Sequence, residues 1–199
     1  MNPAPHQVTG ILLAAGHSRR FGTHNKLLQQ LPDGNLLGLA SAQHLIAAIP
    51  QSVAIVRPGQ DAFKSILADA GFQVTVCADH EQEMGDSLAA GVRFAMTLYP
   101  QSCGFVIALA DMPAILPATI TAVAAGIENG CGIVAPVFKG KRGHPVGFSA
   151  GFQQELQTLK GDEGARQLIA RHPSALVLQE CDDAGILLDV DTPSDIEQL

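Results

Sequence analysis

No stretch of the 199-residue chain reaches the run of about 20 apolar residues that a bilayer demands, so no membrane-spanning helix is expected. Cys77, Cys103, Cys131 and Cys181 are scattered, with no C-x-x-C pair among them. That spacing argues against a disulfide frame or a zinc site and for core thiols in a reducing compartment. Basic residues are in short supply, 12 Lys and Arg against 19 Asp and Glu, for a net charge of −7. A broad nucleic-acid or anionic-membrane surface would need a basic face, so any anion recognition has to be local. The N-terminus MNPAPHQV lacks the basic and apolar regions of a secretory signal. Repeats, low-complexity tracts and linkers are also missing. The expectation is one cytoplasmic, monomeric domain over residues 1–199. Hydrophobic content of 47% with 16% charged residues fits a globular chain with a sizeable core.

What is present is an alternation of two periods. Short β-rich runs fall at Val8–Ala15, Ser52–Val56, Phe72–Cys77, Gly104–Ala110, Gly132–Val137, Ala175–Glu180 and Ile186–Val190. Helix-like segments lie between most of them, at Leu37–Ile49, Asp61–Ala70, Asp86–Tyr99, Pro117–Asn129 and Glu163–His172. Gly71 and Gly130 read as helix stops. This order predicts βαβ units and a mostly parallel sheet covered on both faces. The glycine-rich, basic stretch KGKRGHPVG, Lys139 to Gly147, reads as an excursion or hairpin from that sheet. In open parallel sheets ligands bind beyond the C-terminal strand ends, so the residues following the strands become the candidates.

The first strand empties into a loop of unusual make-up: GILLAAGHSRRFGTHNK, Gly10 to Lys26. It matches neither G-x-x-x-x-G-K-[ST] nor G-x-G-x-x-G. Its small residues still permit close backbone approach, and Arg19, Arg20 and Lys26 offer counter-charge to an anion such as a triphosphate. An ordinary βα loop with solvated arginines has the same composition. Asp111 ends the apolar run FVIALA, a good place for a hard oxygen ligand to a divalent cation. The alternative role is a helix N-cap, which Pro113 and a helix start at Pro117 fit poorly. Asp189 and Asp191 in LLDVDTPSD have strand-face spacing. One of them is a candidate second metal ligand, while Asp191 or Thr192 is equally a cap for a last helix beginning at Pro193.

Three further segments have both a binding and a structural reading. Met84-Gly85-Asp86-Ser87 opens a helix whose N–H groups suit a polar ligand edge, or Asp86 or Ser87 simply caps it. His144 in Arg142-Gly143-His144-Pro145 is a ligand contact or a surface histidine. Gly161-Asp162-Glu163-Gly164-Ala165-Arg166 is an anion site at a helix start or a plain turn. Finally, Gly147-Phe148-Ser149-Ala150-Gly151 matches the G-x-S-x-G nucleophile elbow. A serine hydrolase would have to take its base from His172 and its acid from Asp162, and that leaves the cationic loop and Asp111 unexplained.

Taken in order along nearly the whole chain, these motifs resemble the MobA-like nucleotidyltransferases, and within them the molybdenum cofactor cytidylyltransferase branch. The matching segments are Leu13-Ala14-Ala15-Gly16-x-Ser18-x-Arg20-Phe21-Gly22 with Asn25-Lys26, then Met84-Gly85-x-Ser87-Leu88-x-x-Gly91 and Leu109-Ala110-Asp111-Met112-Pro113. Arg142-Gly143-His144-Pro145, Gly161-Asp162-x-Gly164-Ala165-Arg166 and Asp189-Val190-Asp191-Thr192-Pro193 complete the set. The resemblance implies a three-layer α/β/α, Rossmann-like fold of the nucleotide-diphospho-sugar transferase type. It implies a Mg²⁺-dependent enzyme that moves CMP from CTP onto the phosphate of molybdopterin, possessing small-molecule substrates and at most a molybdoenzyme or its chaperone as protein partner. By the same resemblance Lys26, Arg20 and Asp111 are the catalytic residues, and Asp111 with Asp191 the metal ligands. Leu13, Ala14, Ala15, Gly16, Ser18, Gly85, Ser87, His144 and Arg166 are then the binding residues. Alanine at position 15 resembles the cytidine-using branch, since guanylyl-transferring relatives usually have glycine there. A non-catalytic protein that binds and delivers the cofactor is the alternative from another functional class.

Overall fold

The computed structural model describes residues 7–16, 25–80, 83–162 and 164–197. Its centre is an eight-stranded sheet among those residues. Val8–Ala14 (β1) runs parallel to both Ser52–Val56 (β2) and Gly104–Leu109 (β4), and β2 runs parallel to Gln73–Val76 (β3). The apolar runs of β1, β2 and β4 are buried on both sides, as strands of a parallel sheet covered by helices must be.

Beyond β4 the sheet changes character. Ile133–Phe138 (β5) turns through Lys139 and Gly140 into the short strand Lys141–Arg142 (β6), and the chain then returns as Val146–Ser149 (β7). β7 lies antiparallel between β4 and β5, giving the order β3-β2-β1-β4-β7-β5-β6, while Leu176–Glu180 (β8) runs parallel to β5. The expected basic hairpin is therefore real as β5–β6, and its continuation becomes an interior strand.

Alternate residues of each strand feed two cores. On one face Leu12, Val56, Val106 and Ala110 pack with Leu37–Ala48 (α1), Asp61–Asp69 (α2) and Pro117–Glu128 (α4). On the other, Ile11, Ile55, Phe105, Ile107 and Phe148 pack with Met84–Leu98 (α3), Gln153–Gln157 (α5) and Arg166–Arg171 (α6). This is the expected three-layer α/β/α arrangement. Gly71 and Gly130, at φ of 99° and 94°, supply the left-handed stops after α2 and α4.

One expected element does not form. Residues Ile186–Val190 were read as a strand, but Ala184–Leu187 is a 3-10 turn. Asp183 causes it: its Oδ1 accepts from the Gly185 N–H at 2.9 Å, an Asx-type turn that competes with a ladder. Its Oδ2 accepts from Leu116 N–H and from the Thr119 hydroxyl, at 2.9 and 2.6 Å. Asp183 thus fastens the start of α4 to the C-terminal segment, its bond to Thr119 spanning 64 residues of sequence. Past the turn, Val190 N–H donates to the carbonyl of Asp111 at 2.9 Å, which brings Asp191 alongside the end of β4. Thr192 and Asp195 form a reciprocal capping box on Pro193–Ile196 (α7), so Thr192 rather than Asp191 is the cap.

Candidate active site

Two cavities open at the C-terminal ends of β1 and β4. The first, about 270 Å³, is lined by Leu13, Ala14, Ala15 and Gly16 from β1 and its exit, with Lys26, Ser87 and Asp111. The second, about 610 Å³, has apolar walls from Leu88, Ile107, Phe148 and Ile169 and polar groups from Arg142, His144, Arg166 and Asp189. Leu13, Met84, Leu109 and Asp162 line both, so the two spaces are contiguous. The described binding residues expected as one set are divided between them, except Gly85, which lines neither. Arg20 and Ser18 lie outside the described residues.

Lys26 is set by its own local structure. Asn25 Oδ1 accepts from Leu27 N–H at 3.0 Å, fixing a 3-10 turn over Lys26–Leu28, and buried Leu27 anchors that turn in the core. The Lys26 side chain is 10% exposed, and its Nζ donates to Asp111 Oδ2 at 2.7 Å. Asp191 Oδ1 lies 3.8 Å from the same ammonium. Asp111 follows β4 directly, where Ala110 N–H still bonds to Leu13 O at 3.0 Å, and so its position is defined by the sheet. Asp111 caps no helix. Asp189 and Asp191, expected to share a strand face, diverge: Asp191 faces Lys26 and Asp189 lines the second cavity.

The start of α3 differs from expectation. Gly85 N–H donates to Gly161 O at 2.7 Å and Ser87 N–H to Glu83 O at 3.0 Å, so these two amides are used inside the protein. Neither Asp86 nor Ser87 caps α3, which begins at Met84 with Glu83 as its N-cap residue. The Ser87 hydroxyl instead meets Cys77 Sγ at 3.6 Å beside the first cavity. The Gly85–Gly161 bond holds the 160–162 loop against α3, which places Met84 and Asp162 where the cavities meet. Both residues lie in segments that the sequence singles out, yet neither is among the expected binding residues, because the loop-to-helix bond that brings them together is long-range.

His144 is held by its backbone, N–H to Ile186 O at 3.1 Å. A Cβ on neighbouring Gly143 would collide with that same Ile186 carbonyl, so the approach requires glycine. The His144 Nδ1 is buried without a hydrogen-bond partner. Burial holds the imidazole below its ordinary value of 6.5; the Asp111 and Asp189 carboxylates oppose this and the Arg142 and Arg166 cations reinforce it. At neutral pH the ring is therefore uncharged, and its Nδ1 has no partner among the described residues.

The elbow reading of Ser149 fails on topology. Ser149 pairs with Gly104, the first residue of β4, at the opposite end of the sheet from Asp111. His172 Nε2 is engaged by Glu155, at 2.9 Å, rather than by an acid at Asp162.

A cavity lined by small residues at the exit of β1, a lysine–aspartate pair at the end of β4 and an adjoining cavity agree with what the sequence comparison shows. Residues 10–176 match the model of the MobA-like NTP transferase domain. The chain belongs to that family. It is similar to purine catabolism protein PucB of Bacillus subtilis (strain 168), 31% identical with 96% of this chain and 94% of that one covered. It is 28% identical to nicotine blue oxidoreductase of Paenarthrobacter nicotinovorans over the same shares. The crystal structure of Rv0371c from Mycobacterium tuberculosis H37Rv superposes with a TM-score of 0.82 at 30% identity, covering 98% of both chains. Rv0371c has also been solved as a complex with manganese, at 28% identity over 97% of both chains with a TM-score of 0.74. In fold and descent this chain is a nucleotidyltransferase of the MobA-like family. Among its described residues no helix is long and apolar enough to cross a membrane.

The residues near Lys26 suit a divalent metal in kind. Asp111 and Asp191 present hard carboxylate oxygens to one shared point, now faced by an ammonium. Among the described residues no third His, Cys, Asp or Glu joins them.

Proposed function

We propose that this protein transfers CMP from CTP onto the phosphate of molybdopterin, with release of pyrophosphate. The observation that supports it best is the pair of contiguous cavities sharing a wall beside Lys26 and Asp111. A transferase of this kind has to hold a donor and an acceptor side by side with little water between them.

In this reading the nucleoside of CTP sits against Leu13, Ala14 and Ala15, and its phosphates run over Gly16 towards Lys26. By family resemblance Arg20 and Ser18 are further phosphate-binding residues. Asp111 and Asp191 hold Mg²⁺, which when bound supplies charge neutralisation to the phosphates. The acceptor occupies the second cavity, its flat body on Leu88, Ile107 and Phe148 and its phosphate drawn by Arg142 and Arg166. His144 offers the acceptor a neutral hydrogen-bonding nitrogen. The phosphate monoester has a second pKa of about 6 and is ionised near neutrality, so it attacks the α-phosphorus without a protein base. Lys26 neutralises charge that builds on the departing pyrophosphate. In keeping with this, the described residues that line both cavities, Leu13, Met84, Leu109 and Asp162, include no serine, cysteine or histidine. Ala15, which lines the first cavity, is the residue by which the chain resembles the cytidine-using branch.

The test is pyrophosphate release across CTP, GTP, ATP and UTP with Mg²⁺, each with and without molybdopterin. CTP-selective release that requires molybdopterin is the predicted result. Nucleotide binding without release would favour a delivery protein, and no response to any nucleotide would overturn the transferase reading.

A further inference from the structure

We infer that Lys26 is the built-in counter-ion of the divalent-cation site, so that this protein takes up the metal together with a triphosphate rather than alone. This deepens the nucleotide reading above and rests on it for the identity of the displacing ligand.

The Lys26 ammonium lies 2.7 Å from Asp111 Oδ2 and 3.8 Å from Asp191 Oδ1. It therefore stands where the two carboxylates converge. A divalent ion ligated by those oxygens at about 2.1 Å would share them with an ammonium in direct contact. Two cations that close repel strongly, the more so because the lysine side chain is only 10% exposed and poorly screened. Metal and lysine thus compete for one pair of carboxylates.

The donor count points the same way. The described residues bring two carboxylates and no third His, Cys, Asp or Glu to the point. A six-coordinate hard cation must draw its other ligands from water and from phosphate oxygens. A triphosphate meets both needs at once. It supplies oxygens to the metal and an anion to the displaced ammonium, which lines the same cavity as Gly16. Lys26 would pass from carboxylate to phosphate as the metal arrives. Linkage then requires each ligand to strengthen the other's binding by the same factor.

Mn²⁺ binding to the full chain, followed by the electron paramagnetic resonance of the free ion, tests this without turnover. The measurement is made alone and with the non-cleavable α,β-methylene analogue of CTP. Wild type should hold Mn²⁺ weakly and tighten by roughly 5- to 150-fold with the analogue. Lys26→Met should bind Mn²⁺ alone at least about fivefold more tightly and lose most of that coupling. Lys26→Arg, which keeps a cation, should stay near wild type, and Lys64→Met, on α2 outside both cavities, should change nothing. Thermal melts show that each variant is folded. A Met variant no tighter than wild type, or an Arg variant as tight as the Met variant, would overturn the role given to Lys26. If the analogue alters neither melting nor Mn²⁺ affinity, the nucleotide reading fails instead, while the metal-alone comparison still decides the role of Lys26.

Discussion

Lys26 and Asp111 are 85 residues apart in sequence, yet their side chains meet at 2.7 Å. The contact joins the turn that follows the cationic loop to the residue that follows β4, and so links two halves of the fold at the mouth of the first cavity. Either partner left alone would be a half-buried charge without its neighbour. In the function proposed above the same two charges serve a phosphate and its cation. Lys26→Met and Asp111→Asn should each lower turnover by roughly 10²- to 10³-fold. Steady-state rates with saturating CTP check this, and a loss of less than a few-fold would remove either residue from the chemistry.

In the function proposed above, the two arginines of the second cavity separate acceptor binding from nucleotide binding. Arg142 and Arg166 are both exposed at its rim, on β6 and at the start of α6. Arg166→Ala should raise the KM for the acceptor by roughly tenfold, the loss of one charge-assisted hydrogen bond. The affinity for CTP should stay as it was. Equal effects on both substrates would place the arginine in the nucleotide site instead.

His144 gives stability a pH dependence with a definite sign. Burial keeps the folded imidazole neutral, while in the unfolded chain it titrates at its ordinary 6.5. As pH falls through that value the unfolded chain takes up a proton that the folded chain refuses, so stability falls. Above it both states are neutral and the group contributes no slope. His144→Gln should flatten this part of the profile, measured as urea midpoints between about pH 7.5 and 5.5. An unchanged slope would show that the ring is not held neutral.

Asp183 is 4% exposed and accepts from Leu116, Thr119 and Gly185. Asp183→Ala strands those donors and frees both the 184–187 turn and the start of α4. A loss of about 2 to 4 kcal/mol is expected, against roughly 1 for an ordinary exposed cap. Chemical denaturation at neutral pH checks it. Because Val190 is bonded to Asp111, the variant should also weaken metal binding without touching the ligands themselves.

The sequence was most informative where one residue acts through its own neighbours. The continuous apolar runs of β1, β2 and β4, the glycine stops at Gly71 and Gly130, and the position of Asp111 after β4 all follow from local chemistry. It was least informative where a distant group decides. The run Ile186–Val190 has the composition of a strand, but Asp183 turns it and α4 holds it. The N–H groups at the start of α3 look available to a ligand, but Gly161 has already taken that of Gly85. The insertion of β7 between β4 and β5 separates the candidate residues into two cavities, and no spacing in the sequence announces that division. Asp189 and Asp191 show the same point on a smaller scale, since two carboxylates two positions apart share a face only if the strand exists.

Following labelled phosphorus tests the central claim most directly. CTP labelled at the α-phosphorus is incubated with the protein, Mg²⁺ and molybdopterin, and in parallel CTP labelled at the γ-phosphorus. The account predicts α-label on the acceptor and γ-label in pyrophosphate, in equal amounts, with both lost in Asp111→Asn. Alpha-label in free CMP, or no transfer of either label, would contradict it.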